Sequence, residues 1–90
     1  MAEDRLDIDT GTIEVDDDLR RIEFEAEISS ERYRFAVHYD VLEALSAMAP
    51  DAEAATIFRQ HADEIARLGA KALARDPDQE IIVISENDLD

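Results

Sequence analysis

Two consecutive stretches of the chain alternate between apolar and polar residues, which is the pattern of half-buried β-strands. On one side of the first stretch, residues 20–28, lie Ile22, Phe24, Ala26 and Ile28. The opposite side of that stretch carries Glu23, Glu25 and Glu27. In the second stretch Tyr33, Phe35 and Val37 alternate with Arg32, Arg34 and Ala36. We therefore predict two adjacent strands, each with one face towards a core.

The dipeptide Ser29-Ser30 separates these strands and predicts a β-hairpin. If both serines are the central residues of the turn, Phe24 lies opposite Phe35 and Ile22 lies opposite Val37. The same register places Glu27 opposite Arg32 and Glu25 opposite Arg34, so the apolar pairs and the charge pairs agree. Serine adopts positive φ less easily than glycine, which favours a loop longer by a residue or two.

Two helices are predicted next. The first begins near Tyr39 or Asp40, has Val41, Leu42 and Leu45 on its apolar side, and ends before Pro50. Asp51 then occupies an N-cap position, and Glu53 follows in the first turn. From there a helix of up to 25 residues extends to about Arg75, before Pro77 stops it.

The long helix has one apolar side, which predicts a role in core packing. At 100° per residue this side collects Ile57, Phe58, Ala62, Ile65, Leu68, Gly69, Ala72 and Leu73. Its small residues, Ala62, Gly69 and Ala72, indicate a close approach to a sheet or to another helix.

A third strand is predicted over residues 80–85, where the apolar residues do not alternate. This pattern indicates burial on both faces of the strand, at least locally. Because one layer of helices covers only one face, either the N-terminal segment or a second subunit is expected to shield Ile81 and Val83, or else Ile82 and Ile84.

The element order predicts an α+β domain. We expect a three- or four-stranded antiparallel or mixed sheet, in β-β-α-α-β order, with both helices on one face. A single domain covers residues 19–90. Residues 1–18 form an acidic, largely mobile segment in which Thr12–Val15 can add at most a short edge strand.

This order of features resembles the DUF1488 family of small bacterial proteins of unknown function. The likeness extends from about Leu19 to Leu89. It comprises Ile22-Glu23-Phe24, Leu42-Glu43-Ala44-Leu45, Phe58-Arg59, Ile65-Ala66, Ile82-Val83-Ile84-Ser85 and Asp88-Leu89. Since these are core and turn positions, the resemblance implies the α+β fold and brings no activity, cofactor or partner with it.

The charge is strongly negative and unevenly distributed. The formal net charge is −15, of which residues 1–31 contribute −9 and residues 76–90 contribute −6, while residues 32–75 are neutral. Such a surface disfavours direct binding to nucleic acid or to anionic lipid. With no cysteine, an acidic N-terminus and no apolar run of about 18 residues, we expect a cytoplasmic protein without disulfides.

Candidate catalytic and metal-binding groups are few. His38 and His61 are interpreted as capping, surface or packing residues, although the sequence leaves their role open. Asp7, Asp9 and Gly11 resemble the start of a calcium loop, but the later positions of an EF-hand pattern are not met. Neither a serine nucleophile motif nor a glycine-rich phosphate loop is present. We expect no enzyme, no metal and no cofactor.

Three functions remain as hypotheses. The first is a non-catalytic interaction or regulatory module, expected to be a homodimer or to bind an unknown protein, with Glu23, Glu25, Glu27, Ile81 and Val83 as its interaction surface. The second is an acidic mimic of nucleic acid that inhibits or chaperones a nucleic-acid-binding protein. The third is a small ligand-binding domain or enzyme that uses His38, His61 and nearby carboxylates.

Overall fold

The computed structural model describes residues 6–50 and 53–89 as four strands, three helices and a final 3₁₀ turn. The strands are β1 (Asp7–Asp16), β2 (Arg21–Ile28), β3 (Glu31–His38) and β4 (Ile82–Ile84). The helices are α1 (Tyr39–Ser46), α2 (Ala54–Gln60) and α3 (Ala62–Arg75), and the 3₁₀ turn is Glu86–Asp88. The α+β prediction is confirmed.

One mixed sheet, in the order β1-β2-β3-β4, forms the first layer. The first three strands are antiparallel neighbours, and β4 pairs parallel to β3 after the chain has passed through the helices. The contacts of α1 with β3, of α2 with β1, and of α3 with both β1 and β4 build the second layer.

The β2–β3 hairpin has the predicted register, with Phe24 opposite Phe35 and Glu25 opposite Arg34. The expectation of a longer loop was wrong, because Ser29 and Ser30 alone form the turn at φ 54° and 67°. Both values are positive, as a tight turn matched to the strand twist requires. The apolar pairs and the charge pairs across the two strands favour the same register. This register imposes on the two serines a conformation that serine disfavours.

Strand β1 is longer than the predicted Thr12–Val15 strand, since residues 7–10 also belong to it. Its pairing with β2 is interrupted between Asp9 and Glu14, and this bulge hides the period-2 pattern in the sequence. Inside the bulge the Thr12 hydroxyl accepts the Glu25 N–H at 2.9 Å. Of residues 1–18, which were expected to be largely mobile, residues 7–16 form β1, and residues 1–5 fall outside the described part of the chain.

The predicted long helix is two helices, α2 and α3, so the expectation of two helices in total was wrong. His61, at φ −115° and ψ 24°, interrupts the helix, although its N–H still bonds to the carbonyls of Ile57 and Phe58. The break lets α2 contact α1 while α3 packs on β4. The predicted N-cap Asp51 lies outside the described residues, and the N-cap of α2 is Glu53.

The core lies between the two layers. Phe24 stacks on Phe35 with ring centroids 5.4 Å apart and meets the edge of Phe58 at 4.9 Å. Leu6, just before β1, is buried against α3 at Gly69, where a Cβ atom would lie 2.7 Å from Leu6 Cδ2 and 3.4 Å from Ile84 Cδ1. The close approach predicted for Gly69 is therefore confirmed.

None of the helices in the described residues combines the length and the apolar character that crossing a membrane requires.

Candidate functional site: the helix-free face of the sheet

The side of the sheet that faces away from the helices carries most of the predicted interaction residues. We define the helix-free face by the outward side chains of the strands, read from the alternation and the register. They are Asp7, Asp9, Glu14 and Asp16 of β1, Arg21, Glu23, Glu25 and Glu27 of β2, Arg32, Arg34, Ala36 and His38 of β3, and Val83 of β4. Acidic residues thus occupy the β1 side, arginines the β3 side, and an apolar residue the β4 side.

Arginine side chains bind the predicted glutamates diagonally across the strands. Arg34 lies opposite Glu25 but contacts Glu23, with Nη2 3.2 Å from Oε1. Arg32 lies opposite Glu27 but contacts Glu25, with Nε 2.8 Å from Oε1, and it also pairs with Asp9 of β1. Long side chains reach such diagonal neighbours easily. The predicted register is confirmed. Each arginine, however, binds the glutamate two residues before the one that lies opposite it.

Glu23 is the most enclosed carboxylate of this network, with 15% of its side chain exposed. Its Oε2 accepts a hydrogen bond from Arg21 Nη2 at 2.8 Å, while Oε1 contacts Arg34. The Arg21 hydrogen bond lowers the pKa of Glu23 more than partial burial raises it, and Arg34 lowers this pKa further. Glu23 is therefore held ionised between two guanidinium groups.

Asp9 extends the network to the edge strand. Its carboxylate bonds to Arg32 and also accepts the Gly11 N–H at 3.0 Å, and these contacts lower the pKa of Asp9. The same residues were considered above as the start of a calcium loop. Among the residues that the structure describes, no group of three or more His, Asp or Glu side chains is arranged to hold a metal ion.

Apart from Glu27, the acidic side chains of this face without an arginine partner among the described residues lie nearer to β1 than the predicted row Glu23, Glu25 and Glu27. Glu23 and Glu25 have arginine partners, whereas Glu27 is exposed and makes no ion pair with a described residue. An open depression of about 630 Å³ is lined by Glu14, Val15, Asp16, Asp17, Asp18 and Glu23. The β1–β2 turn and the adjoining end of β1 therefore gather several acidic side chains around one depression.

Ile81 and Val83 are half-buried at the other side of the sheet. Val83 lies beside Ala36, which is fully buried although it belongs to the helix-free face. Strand β1, one of the two shields predicted for this apolar pair, is at the opposite edge of the sheet and does not cover it. Ile82 and Ile84 point to the core, so the helices shield that pair.

Side chains protect the outer edge of β4. Asp88, only 2% exposed, pairs with Arg75 and accepts the Ser85 N–H at 3.0 Å. Arg75 also reaches the Val83 carbonyl, with 3.4 Å between Nη2 and O. The sequence did not lead us to predict these contacts of Asp88 and Arg75. The only signal for them was Ser85 followed three residues later by an acidic residue, which is the spacing of a capping box.

The two histidines belong to different layers of the fold. His38 ends β3 opposite Arg21 and occupies the N-cap position of α1, but its side chain makes no capping hydrogen bond. His61 joins α2 to α3 on the helical side, with Nδ1 3.0 Å from Glu64 Oε1. Because the sheet separates them, the two imidazoles do not form one site.

Comparison with known proteins adds one similar structure. No family model and no curated protein matches the chain. The crystal structure of a DUF1488-family protein of unknown function from Shewanella loihica PV-4 superposes with a TM-score of 0.70 at 20% sequence identity. The match covers 93% of this chain and 96% of that protein. The chain therefore has the fold of a DUF1488-family protein, as the sequence resemblance predicted.

Proposed function

We propose that this chain is a small, non-catalytic, cytoplasmic protein-interaction module that binds through the helix-free face of its sheet. The observation that carries the proposal is the make-up of this face, where a charged part on β1, β2 and β3 adjoins half-buried Val83 on β4 and Ile81 just before that strand. Interfaces commonly combine a small apolar centre with a charged rim that selects the partner. The helices cover only the other face of the sheet.

The proposal is tested by capturing partners from the native lysate with tagged wild-type protein and two double variants. Ile81→Thr with Val83→Thr removes the apolar part of the face. The matched control is Leu19→Thr with Met48→Thr, since these large apolar residues are exposed outside the defined face, 57% and 53% respectively. We expect the first variant to lose partners that the control retains. Equal capture by the two folded variants would contradict the proposal.

A second copy of the chain is one partner that we expect. Because each copy carries a net charge of −15, self-association should strengthen as salt screens the repulsion. Light scattering over a concentration series at about 50 and about 300 mM salt measures this effect. A monomer at high micromolar concentration under both conditions would contradict the homodimer and leave binding to another protein to be tested by capture.

The acidic surface supports a second candidate function, mimicry of nucleic acid. The observation that supports it is the depression lined by Glu14, Asp16 and Asp18, three carboxylates for which the structure shows no ion pair with a described arginine. This candidate predicts that the chain displaces duplex DNA from a basic DNA-binding protein at about 50 mM salt but not at about 300 mM. Glu14→Gln with Asp16→Asn and Asp18→Asn should abolish the displacement. Displacement that survives this substitution would contradict the mimicry.

A further inference from the structure

In the described part of the chain, strand β1 is an edge of the sheet, and the hydrogen-bonding groups on either side of its bulge can be assigned. Ser29 and Ser30 form a two-residue turn, so Ile28 and Glu31 close the hairpin, and alternate β2 residues from Ile28 back to Ile22 direct their N–H and C=O groups to β3. The other β2 residues therefore direct theirs to β1, as the Glu25 N–H does towards Thr12.

It follows that two residues of β1 face outward. Ile8 lies opposite Ala26 and Val15 lies opposite Ile22, and both of these β2 residues bond to β3. In an antiparallel pair the residue opposite such a position also points its backbone groups away. The N–H and C=O groups of Ile8 and Val15, one on each side of the bulge, are thus directed away from β2 to the edge of the sheet.

Apolar surface adjoins this edge on the helical side. Val15 is 44% exposed there, although its side chain lies on the core face of the sheet. A groove of about 300 Å³ between β1 and the beginning of α3 has a mixed lining, with Ile8 and Ala62 as its less buried apolar residues and Asp7, Thr10 and Asp63 as its polar ones. An added strand would cover part of this surface with every second side chain.

The charge of β1 on the helix-free face determines which side chains an added strand needs on that face. Asp7, Asp9, Glu14 and Asp16 follow β1 along the helix-free face. In an antiparallel pairing with a second copy, carboxylates would meet carboxylates, which is unfavourable. A strand with cationic side chains on that face would be attracted instead.

We propose that the free edge of β1 binds an extended segment of a partner protein in which Lys or Arg alternates with apolar residues, adding a fifth strand to the sheet. The proposal goes beyond the function proposed above, because it concerns the β1 edge and names the chemistry of the partner segment. Main-chain hydrogen bonds provide affinity in this mode of recognition, and alternate side chains provide specificity. The cations lie over the β1 carboxylates, and the apolar residues pack beside Val15 and the groove.

The test uses three capped octapeptides and the full chain. The probe alternates lysine and valine, one control alternates glutamate and valine, and the other has four lysines followed by four valines. By calorimetry we expect the probe to bind at least tenfold more tightly than the block peptide, and the glutamate peptide to give no binding. Equal affinity for the two lysine peptides would show that charge attraction alone explains the binding. That result would overturn the proposal that the peptide adds a strand to the sheet.

Amide hydrogen exchange locates the peptide without any substitution. The amides of Ile8 and Val15 should exchange at least tenfold more slowly when the probe is bound, since they acquire carbonyl partners. The amide of Val83, at the opposite edge of the sheet, should be unaffected. Unchanged exchange at Ile8 and Val15, or protection at Val83 instead, would overturn the assignment to β1.

A proline variant tests the hydrogen bonds directly. Val15→Pro removes an outward N–H without removing a bond to β2, whereas Val15→Thr keeps it. With folding verified by circular dichroism, the proline variant should bind the probe at least tenfold more weakly and the threonine variant as the wild type does. Equal binding by both variants would overturn edge pairing. The proposed function has its own test at Ile81 and Val83, so the two can fail separately.

Discussion

Gly69 shows how one residue couples the N-terminal segment to the helical layer. Its missing side chain makes room for Leu6, whose Cδ2 atom would lie 2.7 Å from an added Cβ atom. Glycine inside a helix costs about 1 kcal/mol relative to alanine. At position 69 this loss of helix stability accompanies closer packing against Leu6. The N-terminal strand begins immediately after this contact.

We expect the effect of Gly69→Ala to change sign with the residue at position 6. In the wild-type background overpacking against Leu6 should outweigh the gain in helix propensity and lower the free energy of unfolding by about 1 kcal/mol. In a Leu6→Ala background the same substitution should raise it by about 1 kcal/mol. Urea unfolding of the wild type, the two single variants and the double variant measures this double-mutant cycle. Additive effects would show that Leu6 does not occupy the space at Gly69.

Asp88 is a second residue whose role is structural. Its carboxylate is buried and bonds to the Ser85 N–H and to Arg75, whereas Asp76 pairs with the same Arg75 from an exposed position. Asp88→Ala should therefore lower the free energy of unfolding by about 1–3 kcal/mol. The matched control, Asp76→Ala, should change it by about 0.5 kcal/mol or less. Equal effects in thermal unfolding would contradict a specific role for Asp88.

At the scale of the element, the β2–β3 turn shows strand pairing overriding local preference. Ser30 adopts φ 67°, which a residue with a Cβ atom disfavours by roughly 1–2 kcal/mol. Ser30→Gly removes that cost but adds conformational freedom to the unfolded chain, so we expect a net gain of about 0.5–1 kcal/mol. Ser30→Ala retains the Cβ atom and should give no gain. A rise in melting temperature with alanine would contradict the strain.

The helices show the opposite balance between pattern and packing. Residues 54–75 have one apolar side, and nothing in their sequence marks His61 as a break. The break follows from packing, because both helices contact β1 but α2 also contacts α1 whereas α3 packs along β4. Periodicity identifies which residues are buried, and the surfaces they meet determine whether the helix continues.

At the scale of the whole molecule, stability depends on pH through two opposed electrostatic effects. The pKa of Glu23 is lowered in the folded state, so its stabilising contribution is present above its ordinary value of 4.5 and is lost as the pH falls through the folded value. The net charge of −15 acts in the other direction at neutral pH, where repulsion among carboxylates destabilises the compact state.

We therefore expect Glu23→Gln to flatten the loss of stability below pH 4.5, relative to the wild type. Glu27→Gln is the control, since this exposed carboxylate has no ion pair with a described residue and its removal should leave the acid slope unchanged. Salt added at neutral pH should raise the melting temperature of both variants. Thermal unfolding between about pH 3 and pH 7 measures these effects, and equal acid slopes would contradict the role of Glu23.

Much of the helix-free face could be anticipated from the sequence. The alternation of Glu23 with Phe24 places the glutamates outward, and the turn at Ser29 fixes their partners across the hairpin. The pairing of Arg21 with Glu23 within β2 was accessible in principle, since residues two apart share a face. The contact of Asp9 with Arg32 was not, because it joins strands whose register is interrupted by a bulge.

The sequence by itself determined the faces of the strands, the hairpin register, the apolar side of the helices and the total charge, because periodicity and turn length act over a few residues. Only the tertiary structure decided that β1 is a full edge strand, that the long helix breaks at His61, and that β4 runs parallel to β3 with Arg75 and Asp88 at its edge. These features depend on contacts between residues distant in the chain, and the local pattern does not encode such contacts.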